Sequence, residues 1–381
     1  MRILAIDDQQ LILLSVEKKL TELGFEVQIA DCGKRGMEIY ESFQPDLVIV
    51  DINMPNMSGL EVVKQIRITQ QQDTPILVLS GNTDESIIVD GFDLGINDYM
   101  KKPVSLNEMA ARIERILGIC TIPNEEAPSS KDQMIQKHCV GVVIPCYNEE
   151  ERLTSAIFQE FASQNLGYHL CFVNDGSTDN TLGVLENLRK GNEDMISIYN
   201  CEKNGGKAEA VRQGILHLAL DSQFDYLGYL DADLSTDFKD FDDLVHTLEK
   251  SDFNIVSGSR ISRMGANITK ESARKIISKT INLIIQTILG MPFKDTQCGA
   301  KIMKSDMVAP IFEKKFITRW LFDVEIFMRM KKFYGKEEAK GLICEQPLKR
   351  WIHADGSKLS MKDSIKIVGQ LGQIALHYNS N

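Results

Sequence analysis

The 381-residue chain has no run of about 18 uninterrupted apolar residues, so no segment reads as a membrane-spanning helix. Its start, Met1-Arg2-Ile3-Leu4, opens a buried-strand pattern and lacks the small-residue cleavage site of a signal peptide, which argues against export. The 8 cysteines stand singly with no C-x-x-C pair, so they suggest neither a disulfide framework nor a zinc site. A basic excess is missing too. The formal net charge is -11, and nucleic-acid binding needs a basic footprint to neutralise phosphates. Internal repeats and low-complexity tracts are absent. What remains, 43% hydrophobic and 25% charged residues, is the composition of an ordered, soluble, cytoplasmic protein long enough for two or three domains.

The total charge conceals an asymmetry. Residues 1–118 hold 11 Lys and Arg against 19 Asp and Glu, residues 137–259 hold 9 against 21, and residues 260–366 hold 22 against 11. The basic third part reads either as ordinary solvated surface or as a face toward an anionic substrate or lipid.

Residues 1–118 alternate short Val/Ile/Leu runs (3–6, 27–30, 47–50, 76–79) with amphipathic stretches, which predicts five βα units on a parallel sheet. Residues 119–136, with Pro123, Pro128, Ser129 and Ser130 and no apolar period, predict a linker. Strand-like runs resume at 140–144, 170–173, 196–199, 227–230 and 255–258 between helical patterns, so 137–381 is a second α/β domain. Over 272–289, Ile277, Ile281, Ile284, Ile285 and Ile288 share one helical face behind Arg274, Lys275 and Lys279. That pattern predicts a helix, either buried or lying on a membrane surface.

Two constellations carry chemistry. In the first, Asp7-Asp8 and Asp51 close the first and third strands, whose carboxyl ends gather at one crevice of a parallel sheet. Crowded carboxylates there suit a hard cation, Mg2+ above all. Ser80 and Lys102 close the fourth and fifth strands beside them. With Asn53-Met54-Pro55, Gly59, Tyr99 and Lys102-Pro103, this order resembles the receiver domain of two-component response regulators over all of 1–118. The resemblance implies a flavodoxin-like (βα)5 fold and a phosphoryl group accepted by Asp51. It also implies Mg2+ at Asp7, Asp8, Asp51 and the Asn53 carbonyl, and a switch made of Ser80, Tyr99 and Lys102. The implied partner is a histidine kinase or phosphotransfer protein, with a homodimer formed through the receiver.

In the second, Asp231-Ala232-Asp233 follows the strand Tyr229-Leu230, and acidic pairs so placed bind a divalent ion that bridges a diphosphate. Asp175 can accept hydrogen bonds from a base edge, Gly176-Ser177 allow a tight turn, and Gly205-Gly206-Lys207 opens a helix with backbone donors and a cation for phosphate. These residues follow Pro145-Cys146-Tyr147-Asn148-Glu149-Glu150. They precede Ser257-Gly258-Ser259-Arg260, Asp295-Thr296-Gln297-Cys298-Gly299-Ala300-Lys301, Phe322-Asp323-Val324-Glu325, Trp351-Ile352-His353 and Gly356-Ser357-Lys358. In this order they resemble the inverting family 2 glycosyltransferases of GT-A fold over about 138–365, and most of all the subgroup that makes dolichyl- or polyprenyl-phosphate sugars. Asn174 and Ser235 depart from the family pattern, which bears on metal affinity. The transmembrane hairpins of many relatives are not seen, so membrane contact is expected to be peripheral, at the inner face.

The resemblance implies a metal-dependent (Mg2+ or Mn2+) hexosyltransferase that moves sugar, UDP-glucose favoured as donor, to a lipid phosphate. Donor contacts fall to Pro145, Tyr147, Asn148, Glu149, Asp175, Gly176, Ser177, Lys207, Asp231 and Arg260. Acceptor contacts fall to Gln297, Lys301 and Lys358, and metal to Asp231 and Asp233. A lipid phosphate is already anionic and needs no general base, whereas a sugar or polysaccharide hydroxyl would need Asp295 or Asp323 to take its proton. A third reading, a two-component module whose transferase fold only binds ligand, is disfavoured by the intact acidic pair and Gly-Gly-Lys. A DNA-binding output is disfavoured because residues 137–381 lack a compact basic helix-turn-helix pattern.

Overall fold

The computed structural model describes the chain except residues 82–84, 120–133, 154, 262–266, 269–271, 352–360 and 380–381, with side chains 85, 155, 267–268, 272–280, 351, 361–365 and 379 also outside the description. The chain divides into two compact units, Met1–Cys139 with Phe158–His169, and Val140–Ile157 with Leu170–Asn381.

In order, the first part runs β1 (Arg2–Ile6), α1 (Gln10–Glu22), β2 (Glu26–Ala30), α2 (Gly33–Phe43), β3 (Leu47–Asp51), α3 (Gly59–Lys64), β4 (Ile76–Ser80), α4 (Glu85–Asp93), β5 (Asp98–Lys101), β6 (Val104–Ser105) and α5 (Leu106–Leu117). Strands β1 to β5 form a parallel sheet in the order β2-β1-β3-β4-β5, the flavodoxin-like winding. The central strands β3 and β4 are buried along their whole length, as near-continuous Val/Ile/Leu runs require when helices cover both faces. Local signals agree with this layout. Ser58 and Glu61 close a capping box on α3, the Ser105 hydroxyl caps α5, and Gly118 ends α5 in the left-handed region.

The chain resumes as β7 (Met134–Cys146), α6 (Ser155–Gln164), β8 (Asn165–Asn174), α7 (Thr181–Arg189), β9 (Ile196–Asn200), α8 (Lys207–Leu218), β10 (Tyr226–Leu230), α9 (Phe238–Glu249), β11 (Ile255–Ser259), β12 (Asn267–Ile268), α10 (Ser272–Leu289), β13 (Ala300–Lys304), α11 (Val308–Phe312), α12 (Phe322–Tyr334), α13 (Lys336–Leu342), β14 (Ile343–Pro347), β15 (Arg350–Trp351) and α14 (Met361–Asn379). A mixed sheet has the order β14-β11-β13-β10-β7-β8-β9, with β13 antiparallel to both β10 and β11. Because β10 runs parallel to β7 while Leu230 pairs with Ala300, the ends of β7 and β10 and the start of β13 meet at one edge. The second site is built there.

Residues 120–133 of the expected linker lie outside the described residues, and Met134–Gln136 already belong to β7, where Ile135 pairs with Val104. Strands β13 and β14 were not expected. In β13, Lys301 and Lys304 interrupt the apolar run, yet Lys301 is fully buried because its ammonium is paired. Helix α10 has the expected bounds, and its described half packs Ile281, Ile285 and Leu289 inward while Leu283 is exposed. The seven cysteines among the described residues are free thiols.

Candidate functional site

At the carboxyl edge of the receiver sheet, Lys102 joins two buried carboxylates, with its Nζ 2.7 Å from Asp7 Oδ2 and 2.9 Å from Asp51 Oδ1. Asn53 N–H donates to Asp51 Oδ2 at 2.6 Å and Gln9 N–H to Asp7 Oδ1 at 2.9 Å, so the chain that leaves each strand orients the carboxylate at its end. Burial pushes the Asp7 carboxyl up to about 6; Lys102 opposes the shift and Asp51 adds to it. Burial alone would lower the Lys102 ammonium, but Asp7 and Asp51 together hold it above its ordinary value. Two buried carboxylates against one ammonium leave negative charge uncompensated, so this donor set fits Mg2+. Asp8 is exposed, Ser80 is buried at the end of β4, and Tyr99 packs against the sheet core.

In the second unit, the loops after β7 and β8 lock together. Asn148 N–H donates to Ser177 Oγ at 3.0 Å, Thr178 N–H to Asn148 Oδ1 at 2.8 Å, and Glu149 N–H to Thr181 Oγ1 at 2.8 Å. Burial raises the Glu149 carboxyl; Arg152 opposes the shift, while Asp233, Asp179 and Asp231 add to it. Pro145 is partly buried and Tyr147 exposed at this edge. Asn174, the departure from the family pattern, accepts from Ser177 N–H at 3.2 Å and donates to Asn200 Oδ1 at 2.7 Å, so it ties β8 to β9.

Asp175 is placed differently from the expectation. Its two oxygens accept from Gly205 N–H and Gly206 N–H, each at 2.8 Å, and it is buried. Gly176, at φ 63, lies where a Cβ would come within 2.6 Å of Asn204 N. The backbone donors of the Gly-Gly-Lys turn are therefore committed to Asp175, and Ala208 N–H goes to Arg319 O at 3.2 Å. What the motif has left for a phosphate is the Lys207 ammonium.

That ammonium lies 2.5 Å from Asp231 Oδ1. Asp231 N–H donates to Gly299 O at 3.0 Å, and Asp233, exposed one step along the turn, accepts from Ser235 N–H at 2.9 Å. The other two candidate carboxylates are buried and paired. Asp323 meets Lys301 Nζ at 2.6 Å and accepts from Tyr229 Oη, and the Lys301 ammonium also donates to Cys298 O at 2.8 Å. Asp295 grips Arg260 through three bonds, from the backbone N–H, Nε and Nη2, at 2.7 to 2.9 Å. Gln297 Nε2 is buried without a hydrogen-bond partner. Lys358 lies outside the described residues.

Sequence reasoning missed Tyr229 as a partner of Asp323, and Glu325 as the anchor of the neighbouring loop. Glu325 accepts from Ile317 N–H and Thr318 N–H, both at 2.9 Å. Glu325 was within a quoted motif, but no local spacing names its partners. Among the described residues no group of three or more His, Cys, Asp or Glu comes together to hold a metal. The Asp231/Asp233 pair still offers hard oxygen donors on one turn, one of them exposed, which fits an Mg2+ or Mn2+ whose remaining positions go to water and phosphate.

Comparison with known proteins agrees with this division. The response regulator receiver domain model matches residues 3–114 and the glycosyl transferase family 2 model residues 141–312. The chain is 31% identical over 254 residues to a dolichyl-phosphate beta-glucosyltransferase of Dictyostelium discoideum, covering 63% of this chain and 74% of that protein. It is 30% identical over 277 residues to the Drosophila melanogaster protein of the same description, covering 69% and 81%. With the response regulator MprA of Mycobacterium leprae (strain TN) it shares 40% identity over 129 residues, 34% of this chain, and spans 56% of that relative's length.

Proposed function

Because the chain belongs to the family 2 glycosyltransferases and carries a response regulator receiver domain at its N-terminal end, we propose that it transfers glucose from UDP-glucose to a polyprenyl- or dolichyl-phosphate lipid, under control of a phosphoryl group on Asp51. The observation that supports a phosphate acceptor is the state of Asp295 and Asp323. Either could deprotonate a hydroxyl, yet both are buried with a cation at contact distance. A carboxylate so paired is a weak base, whereas an acceptor already anionic at neutral pH needs none.

In this reading the acceptor phosphate oxygen attacks the sugar C1 in line, and the bond from C1 to the nucleoside diphosphate breaks with inversion. Catalysis then consists of positioning and of stabilising the leaving charge. A divalent ion held by Asp231 and Asp233 would supply neutralisation of the departing diphosphate. Lys207 adds a cation beside the same turn, and the unpartnered Gln297 amide offers a donor for the acceptor. The loops of Asn148, Ser177 and Asp175 shape the donor cleft. No helix among the described residues is long and apolar enough to cross a membrane, so the lipid is met at a surface, for which the basic balance of residues 260–366 is suited.

The test is a donor and acceptor screen with the full-length protein and Mn2+, scored by product mass. UDP-glucose with polyprenyl phosphate is expected to give a hexosyl phosphate lipid. Transfer only to sugar hydroxyls, or none from any nucleotide-sugar, would overturn the proposal.

A further inference from the structure

Three cations face three acidic residues at this edge, and Lys207 is held unlike the other two. Arg260 makes three bonds to Asp295, and Lys301 is fully buried between Asp323 and the Cys298 carbonyl. Lys207 has a single ion pair, to Asp231 Oδ1, and both side chains of that pair are 27% exposed. Burial alone would lower the Lys207 ammonium, but Asp231 and then Asp323 hold it above its ordinary value, so it stays charged.

Asp231, by contrast, is fixed. Its N–H is bonded to Gly299 O, and its Oδ2 lies where a Cβ on residue 299 would be only 1.9 Å away. The carboxylate cannot retreat on that side, while a lysine side chain swings about four torsions. An ammonium 2.5 Å from Oδ1 and a divalent cation on the same carboxylate repel each other strongly at that range. One must yield. The neighbouring backbone donors of Gly205, Gly206 and Ala208 are already committed, so the ammonium is what this turn can give a diphosphate.

Resting on the nucleotide-sugar reading of this site, we propose that Lys207 is an exchangeable counter-ion of Asp231: it neutralises the carboxylate in the ligand-free protein and passes to the diphosphate when the divalent ion binds. Metal and nucleotide then bind cooperatively, because each removes an obstacle to the other. Without nucleotide, the metal must displace an ammonium that has no other anion to meet. Without metal, the diphosphate draws the ammonium away and leaves Asp231 facing it uncompensated. Lys207 is thus a positioning residue whose effect appears in the coupling between two ligands.

The experiment is calorimetric titration of UDP into the full-length protein at a series of free Mn2+ concentrations. Linkage is reciprocal, so the dependence of UDP affinity on Mn2+ gives both the Mn2+ affinity of the nucleotide-free site and the coupling factor. The receiver, which is not read by UDP binding, stays silent. Lys207→Met is expected to shift the Mn2+ midpoint of the nucleotide-free site to lower concentration and to reduce the coupling at least roughly fivefold, the lower end of typical coupling factors. Lys207→Arg, which keeps the charge, is expected to retain most of it. Should Lys207→Met fail to fold by circular dichroism, Lys207→Gln carries the same expectation. Wild-type coupling in the uncharged variant, or a Mn2+ midpoint moved to higher concentration, overturns this inference alone. A wild-type protein that binds no UDP at any Mn2+ concentration overturns the donor-site reading together with it.

Discussion

Gly299 and Asp231 touch so closely that residue 299 can carry no side chain: an ideal Cβ there would stand 1.9 Å from Asp231 Oδ2 and 2.2 Å from its Cγ. The same glycine accepts the Asp231 N–H, so the first residue of β13's approach seats the first carboxylate of the acidic pair in both backbone and side chain. Gly299→Ala is therefore expected to turn Asp231 off its seat without unravelling β10 or β13, whose register is set by the pairs from Leu230↔Ala300 onward. A displacement of about 1 Å at a reacting centre costs on the order of a hundredfold in rate. Steady-state transfer and a thermal melt on the same preparation check this. A variant with unchanged kcat would remove Gly299 from the argument.

The pair Lys301 and Asp323 makes a different prediction, because both side chains are buried and each is the other's charge partner. Removing one partner leaves an unpaired buried charge, a loss of about 3 to 5 kcal/mol. Lys301→Met alone should lower urea stability by that order. Lys301→Met combined with Asp323→Leu should recover a good part of it, since an apolar pair avoids the desolvation penalty. Equal instability of single and double variants would mean that packing against Tyr229, and not charge, sets the cost.

How far the sequence foretold these arrangements depends on the range of the interaction. Every strand expected from an apolar run is present with ends within a few residues, except that β7 starts at Met134 and β8 at Asn165, both earlier than hydrophobicity suggested. Periodicity reports burial, and these extensions are bounded by polar residues such as Lys137, His138 and Asn165. Strand β13 was invisible because its second residue is a lysine, whose burial depends on Asp323, 22 positions later. The site shows the same limit. Strand ends named Asp7, Asp51 and Asp231 correctly as residues of the crevices, since topology places them. The partners could not be read: Asp175 was assigned to a base edge, but its oxygens hold the Gly205-Gly206 turn. Gly-Gly-Lys looked like a set of backbone donors, and only the fold shows those donors taken.

The receiver gives a pH prediction. Burial lifts the Asp7 carboxyl from 3.8 to about 6, with Asp51 adding to the shift against Lys102. Between those values the folded protein binds more protons than the unfolded chain, so the contribution of this group to stability is fully present below about 3.8 and is lost as pH rises through about 6. The full change is on the order of 3 kcal/mol. Denaturation of wild type and Asp7→Asn, with chelator present, should show the variant gaining on the wild type between pH 4.5 and 7.5. Parallel curves would mean that Lys102 compensates Asp7 fully.

The last prediction joins the two halves of the chain through Asp51. Asp51 is buried beside Lys102 and fixed by the Asn53 N–H, the position from which a carboxylate oxygen can be phosphorylated. Acetyl phosphate with Mg2+ is expected to add one acid-labile phosphoryl group to the wild type and none to Asp51→Asn. A phosphoryl group there brings extra negative charge to a site where Lys102 now bridges Asp7 and Asp51. Lys102 and Ser80 are expected to reorganise toward it, and Tyr99, only partly buried on the next strand, to follow. Phosphorylation can alter transfer only by as much as it changes the balance between two arrangements of the protein. The typical coupling of about 1 to 3 kcal/mol corresponds to a change of roughly 5- to 150-fold. Beryllofluoride, which mimics the phosphoryl group, should therefore change the rate of glycosyl transfer within that range in the wild type and leave Asp51→Asn unaffected. Molar mass by light scattering on the same samples should rise to that of a dimer, the route by which a tethered receiver could bring two transferase domains to one lipid surface. A rate change at constant mass would rule out dimerisation and keep the regulation. No response in either quantity would reduce the receiver to a docking module and take phosphorylation out of the enzyme's control.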